Sequence, residues 1–164
     1  MNINLSPVQC RYDNLIERFV EIAKEYDIPM DHIHLEITES EFTDKEAVDR
    51  TLQRFSEKGV KVALDDFGTG FSTIANILEL PVDYVKIDKS LVWSYATGKN
   101  QFLNDMIPMI KAEGKKIIAE GIESEEQMDI IRKLNGDYLQ GYYFSKPLKE
   151  SEFVRYIKKY NGFR

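Results

Sequence analysis

Two hydrophobic periods alternate along this chain. Short runs of strand character, MNINLS, HIHLEITES, VKVALDD, VDYVKID, KKIIAEG and DYLQGYYFSKP, are separated by stretches in which apolar residues return every three or four positions. Between Asp13 and Tyr26, Leu15, Ile16, Phe19, Ile22, Ala23 and Tyr26 share one helical face, with Glu and Arg opposite. A second helix carries Val48, Leu52 and Phe55 behind an Asp44 cap, and Gly59 suits the position just past its end. Ser72 to Leu80 reads as a short helix stopped by Pro81, and Asn100 to Ala112 as a helix with Pro108 in an early turn and Gly114 at its end. Ser124 and Gln127 form a capping box for a helix reaching Leu134, and a terminal helix carries Phe153, Val154, Tyr156 and Ile157. Trp93 to Lys99 reads as loop. Strand followed by helix, repeated six times, predicts a parallel α/β fold, and the periodicity fits a barrel and an open doubly wound sheet equally well.

The polar residues narrow the choice. Ligands of parallel sheets bind at the carboxyl ends of the strands, and a barrel gathers those ends around one mouth. Here the ends present Asn4, Glu36, Asp65 with Asp66, Lys86, Glu120 and Gln140. Nearly all are hard oxygen donors, which suit Mg²⁺, Mn²⁺ or Ca²⁺ rather than a thiolate-seeking metal. In Val60 to Ser72, VKVALDDFGTGFS, a strand delivers two adjacent aspartates into a turn loosened by Gly68 and Gly70. Alone, such a pair is a capped surface turn; six polar strand ends together predict a shared metal-centred site. Four carboxylates repel a phosphate, but divalent ions reverse the local sign, so the expected substrate is anionic. Two ions can orient an attacking water and stabilise the leaving oxygen of an in-line phosphoryl displacement. Lys86 is a candidate base or charge stabiliser, its alternative being a salt bridge that holds the acidic groups together. His32 and His34 lack a third ligand at recognisable spacing and are assigned to surface or packing roles.

Composition removes several classes. At 164 residues, 43% hydrophobic and 30% charged, the chain is expected to form one globular domain. A net charge of −6 argues against a duplex nucleic-acid binder or an anionic-membrane binder. Cys10 is the single cysteine, so no intrachain disulfide forms, and it is expected to be an inert packing residue. With no signal peptide and no bilayer-length apolar run, the simplest expected location is the cytoplasm, with no membrane insertion by this segment.

NLS around Asn4, LEITES around Glu36, LDDFGTGFS around Asp65, DYVKIDKS around Lys86, IIAEGIES around Glu120 and YLQGYYFSKPL around Gln140 occur in this order. Together they resemble the EAL domain of bacterial cyclic di-GMP phosphodiesterases. The resemblance implies a modified TIM barrel that hydrolyses one phosphodiester bond of cyclic di-GMP to give the linear dinucleotide, with up to two Mg²⁺ or Mn²⁺ ions. It implies metal ligation by Asn4, Glu36, Asp65 and Glu120, with Asp65 between the two ions and Asp66 serving the second. Lys86 matches the residue that assists the attacking water, and Gln140 one that lies near that water. Glu123 matches a glutamate that steadies the loop Phe67, Gly68, Thr69, Gly70, Phe71 and Ser72, a loop linked in the family to dimerisation and metal binding.

The Glu-Ala-Leu motif of the family's early strand, whose glutamate is a metal ligand, is absent. A complete TIM barrel usually needs about 250 residues, so residues 1–164 are expected to be the C-terminal two-thirds of an EAL domain. The expected fold is an incomplete TIM-like barrel of about six parallel strands with flanking helices. Its open edge predicts a homodimer or swapped oligomer. The alternative to an enzyme is a non-catalytic module that binds cyclic di-GMP or acts through protein contacts.

Overall fold

The computed structural model describes residues 1–38, 45–69 and 79–161, except the side chains of Tyr160 and Asn161. Six strands, β1 (Asn2–Asn4), β2 (His34–Thr38), β3 (Lys61–Phe67), β4 (Tyr84–Ile87), β5 (Lys116–Ala119) and β6 (Tyr138–Leu139), form one sheet. The described helices are α1 (Leu15–Glu25), α2 (Lys45–Glu57), α3 (Lys89–Ala96), α4 (Phe102–Ala112), α5 (Glu125–Lys133) and α6 (Glu150–Asn161). All five strand pairings are parallel and the strand order is the chain order, β1 to β6. A doubly wound sheet would reverse direction at a switch point, so this winding is that of a TIM-like barrel. Among the described residues β1 and β6 pair on one side only, which makes the sheet an open arc.

The side-chain alternation of the strands sorts residues onto two faces. Leu35, Ile37, Val62, Leu64, Val85, Ile87, Ile117 and Ala119 point to one face and are each fully buried. Their partners come from the helices: Val48, Leu52 and Phe55 of α2, Leu103, Met106, Ile107 and Ile110 of α4, and Ile131 of α5 join the same core. Phe19 of α1 meets Phe55 edge-on, with ring centroids 5.2 Å apart. The other face carries His34, Glu36, Asp65, Tyr84, Lys86 and Ile118, and most of these keep some exposure. His34 stacks on Tyr84 with centroids 5.6 Å apart, a packing role in keeping with the expectation for this histidine.

Three details differ from the sequence expectation. Trp93 lies in helix rather than loop, because Asp88 accepts a hydrogen bond from the Ser90 backbone N–H at 2.8 Å and so caps α3. Pro108 sits inside α4, past its early turns, and does not end it. Strand β3 continues through both aspartates to Phe67, which is 4% exposed and part of the core rather than of a loop. The expected Asp44 cap, most of the Ser72 to Leu80 helix, and Gly70, Phe71 and Ser72 lie outside the described residues. Gly59 does close α2, with φ of 87°, and the capping box of Ser124 and Gln127 is formed.

Candidate metal centre

The two aspartates of β3 could not share a face in a regular strand, where neighbours point opposite ways. The sheet register resolves this. Leu64 pairs with Val85 and Phe67 with Ile87, so β3 spends one more residue than β4 between the two pairings, which is a bulge. Asp66 takes a φ of 54° at this bulge. The left-handed backbone is tolerated best by Gly, Asn and Asp. It turns the Asp66 amide onto Asp65 Oδ1 at 2.9 Å, and one carboxylate oxygen from each of Asp65, Asp66 and Glu120 falls within 4.8 Å of the others. Gly68 follows with φ of 106°, and a Cβ there would collide with the Leu91 side chain of α3. Thr69 returns its hydroxyl to the Asp66 carbonyl at 2.9 Å, which closes the turn.

Lys86 stands at the centre. Its Nζ lies 2.7 Å from Asp65 Oδ1, 3.0 Å from Glu120 Oε1 and 3.1 Å from Glu36 Oε1, with only 4% of the residue exposed. Burial pulls the lysine pKa down, but the hydrogen bonds that Lys86 donates to Asp65, Glu120 and Glu36 outweigh it and raise the pKa well above the ordinary lysine value. With these neighbours Lys86 is a cation, and it makes the salt bridges that were its alternative role. Glu120 is shifted up, chiefly by burial, against the pull of Lys86. Asp66 is also shifted up, by burial and then by the charges of Asp65 and Asp88.

The neighbouring loops hold this group in place. Glu120 follows β5 and donates its backbone N–H to Ile87, while Gln140 follows β6 and donates to Ala119. The two loops are joined where Ile122 N–H meets the Gln140 carbonyl at 3.1 Å and Tyr143 N–H meets the Ile122 carbonyl at 2.9 Å. Gly141 permits that approach, since a Cβ would run into the Ile122 backbone. Beside Glu120 and Gln140 opens a pocket of about 610 Å³ whose lining includes Lys89, Tyr142, Lys146, Pro147 and Phe153.

The structure therefore gathers Glu36, Asp65, Asp66, Lys86 and Glu120. Gln140 reaches the adjoining pocket and is exposed, and Asn4 pairs with Glu36 in the sheet; neither side chain has a described hydrogen bond to the cluster. Glu123 lines the same pocket, and only its backbone has a described bond, to Gln127 Oε1 at 2.7 Å. One contact was missed from sequence: Asn2 Nδ2 donates to Glu36 Oε1 at 2.8 Å. Its signal was available, because Asn2 and Asn4 are two apart on one strand and so share a face. The donor set is carboxylate oxygen throughout, which fits a hard divalent cation.

A model of the EAL domain matches residues 1–147. The probable cyclic di-GMP phosphodiesterase PdeB of Escherichia coli (strain K12) is 32% identical over 160 residues, which are 98% of this chain and 31% of that protein. The chain thus spans less than a third of the length of the curated relatives it matches. The crystal structure of the EAL domain of Mycobacterium smegmatis DcpA superposes with a TM-score of 0.88 at 36% identity, over 96% of this chain and 72% of that one. The PaMucR phosphodiesterase in complex with c-di-GMP gives 0.82 at 28% identity, over 93% and 63%. Because the family's model matches residues 1–147 of this 164-residue chain, the chain belongs to the EAL domain family.

Proposed function

We propose that this chain is the C-terminal part of a metal-dependent phosphodiesterase domain that binds cyclic di-GMP and opens it to the linear dinucleotide. The observation that carries the proposal is the meeting of Asp65, Asp66 and Glu120 within 4.8 Å beside a pocket lined by lysines and aromatic rings. Asn4, Glu36, Asp65, Asp66 and Glu120 are the proposed ligands of Mg²⁺ or Mn²⁺, up to two ions. A bound divalent cation supplies Lewis acidity and reverses the negative field that would otherwise repel a phosphate. Hydrolysis forms one P–O bond from water and breaks one ester P–O bond. Lys86 keeps Glu36, Asp65 and Glu120 aligned and sets its positive charge beside the attacking water, and Gln140 orients polar groups at the pocket edge. Tyr142 and Phe153 present aromatic surface to a base, and Lys89 and Lys146 present charge to a phosphate. Glu123 is proposed to steady the turn that follows β3 at Gly68 and Thr69. The compartment is proposed to be the cytoplasm; among the described residues no helix is long and apolar enough to cross a membrane.

The open arc favours a second reading, in which the chain binds the nucleotide without rapid turnover. The DcpA EAL domain extends beyond the part this chain covers, and among the described residues β1 and β6 each pair on one side only. A homodimer or swapped oligomer is the proposed cover for those edges. Calorimetry with cyclic di-GMP is expected to show binding with Mg²⁺ or Mn²⁺ and little with a chelator; undiminished affinity under chelation overturns the metal-dependent site. Chromatography of the linear product separates the two readings. Turnover near the usual enzyme median of ~10 s⁻¹ supports a complete enzyme, and binding without product supports the receptor reading.

A further inference from the structure

Glu36 is the carboxylate whose setting the family pattern does not explain. It reaches the cluster from β2, and its Oε1 receives two donors, Lys86 Nζ at 3.1 Å and Asn2 Nδ2 at 2.8 Å. Asn2 stands on β1, paired in register with His34, while Asn4 pairs with Glu36 itself. The Glu36 side chain is thus gripped from the layer beneath the mouth, by a residue that belongs to no proposed ligand set.

We propose that Asn2 is a positioning residue that fixes the Glu36 carboxylate for cation binding. This rests on the reading of Glu36 as a cation ligand. An asparagine amide is suited to the task because it donates without carrying charge, and so holds the carboxylate without competing for it as a second lysine would. Both described donors meet Oε1, and among the described residues no hydrogen bond claims Oε2. The Glu36 side chain is 11% exposed, so water contributes little to its orientation and the two donors set it. Partners that orient metal ligands in this way typically contribute tenfold or more to metal affinity.

The test is Mn²⁺ calorimetry on the full chain, with Asn2→Ala, Asn2→Leu, Glu36→Gln and the double variant Asn2→Ala with Glu36→Gln. Asn2→Ala is expected to weaken Mn²⁺ binding about tenfold while thermal unfolding stays near that of the parent, since Asn2 is exposed. Asn2→Leu keeps similar bulk without a donor and is expected to lose the same amount. In the Glu36→Gln background the Asn2 substitution is expected to change nothing further. Wild-type affinity in Asn2→Ala beside a weakened Glu36→Gln overturns the positioning role and leaves Glu36 as a ligand. An equal loss in both backgrounds overturns it as well, because Asn2 would then act by another route. Wild-type affinity in Glu36→Gln brings down both the ligand reading and the inference built on it.

Discussion

The two faces of the sheet have opposite chemistry. On the helix-covered face Leu35, Ile37, Val62, Leu64, Val85, Ile87, Ile117 and Ala119 are fully buried, and large helix side chains close over them. On the concave face the same strands present Glu36, Asp65, Lys86 and, just past β5, Glu120, with their charges paired around one ammonium group. Apolar burial at about 25 cal/mol per Å² makes the first face the main source of stability. Buried ion pairs lose much of their attraction to desolvation, so the second face adds little net stability and is better understood as a binding surface. A substitution should therefore report its face: the helix-covered side through unfolding, the concave side through cation binding.

The largest expected effect is on the covered face. Phe55→Ala removes a fully buried ring and is expected to lower unfolding free energy by about 3–5 kcal/mol, read as a denaturant midpoint shift, with Mn²⁺ affinity of the folded fraction unchanged. Lys86→Met tests the concave face. It leaves Glu36, Asp65 and Glu120 without their shared cation, and because these side chains keep 11, 14 and 17% exposure the expected loss is about 3 kcal/mol, at the low end for breaking a buried pair. Mn²⁺ is expected to recover part of that loss in the melting temperature, whereas Phe55→Ala should gain from Mn²⁺ no more than the parent does.

Gly141→Ala probes the link between the faces. Its Cβ meets the Ile122 backbone, which cannot rotate away as a side chain could, so a loss of about 2 kcal/mol is expected, with weaker Mn²⁺ binding as the Glu120 loop is pushed aside. Ser124→Ala removes the capping box of α5 and is expected to cost about 1 kcal/mol in chemical unfolding with cation binding intact. A cation effect as large as that of Gly141→Ala would show that the faces are less separate than their chemistry suggests.

Much of this division could be read from the residues. The two periods placed Val48, Leu52 and Phe55 on a buried stripe, and the strand ends supplied Glu36, Asp65, Lys86 and Glu120, because both signals are local and periodic. The periodicity alone did not carry the barrel winding, since short apolar runs do not encode their neighbours; the expectation of an incomplete TIM-like barrel came from the family resemblance, and the strand order bears it out. The bulge was missed for a related reason: LDDFG reads as strand then turn, and only the β4 register shows the extra residue that brings Asp66 beside Asp65. Asn2 was passed over because its importance lies across the sheet, at Glu36, thirty-four residues away. Asn4 and Gln140 carry the family's pattern without a described side-chain bond to the cluster, so the resemblance rather than the geometry names them.

The central claim is that the concave face holds a divalent cation between Asp65, Asp66 and Glu120. An anomalous difference map from crystals of this chain grown with Mn²⁺ tests it most directly. A peak bounded by those three carboxylates, and absent from Asp65→Asn crystals grown the same way, is the expected result. A well-ordered site with no peak there at saturating Mn²⁺ would contradict it.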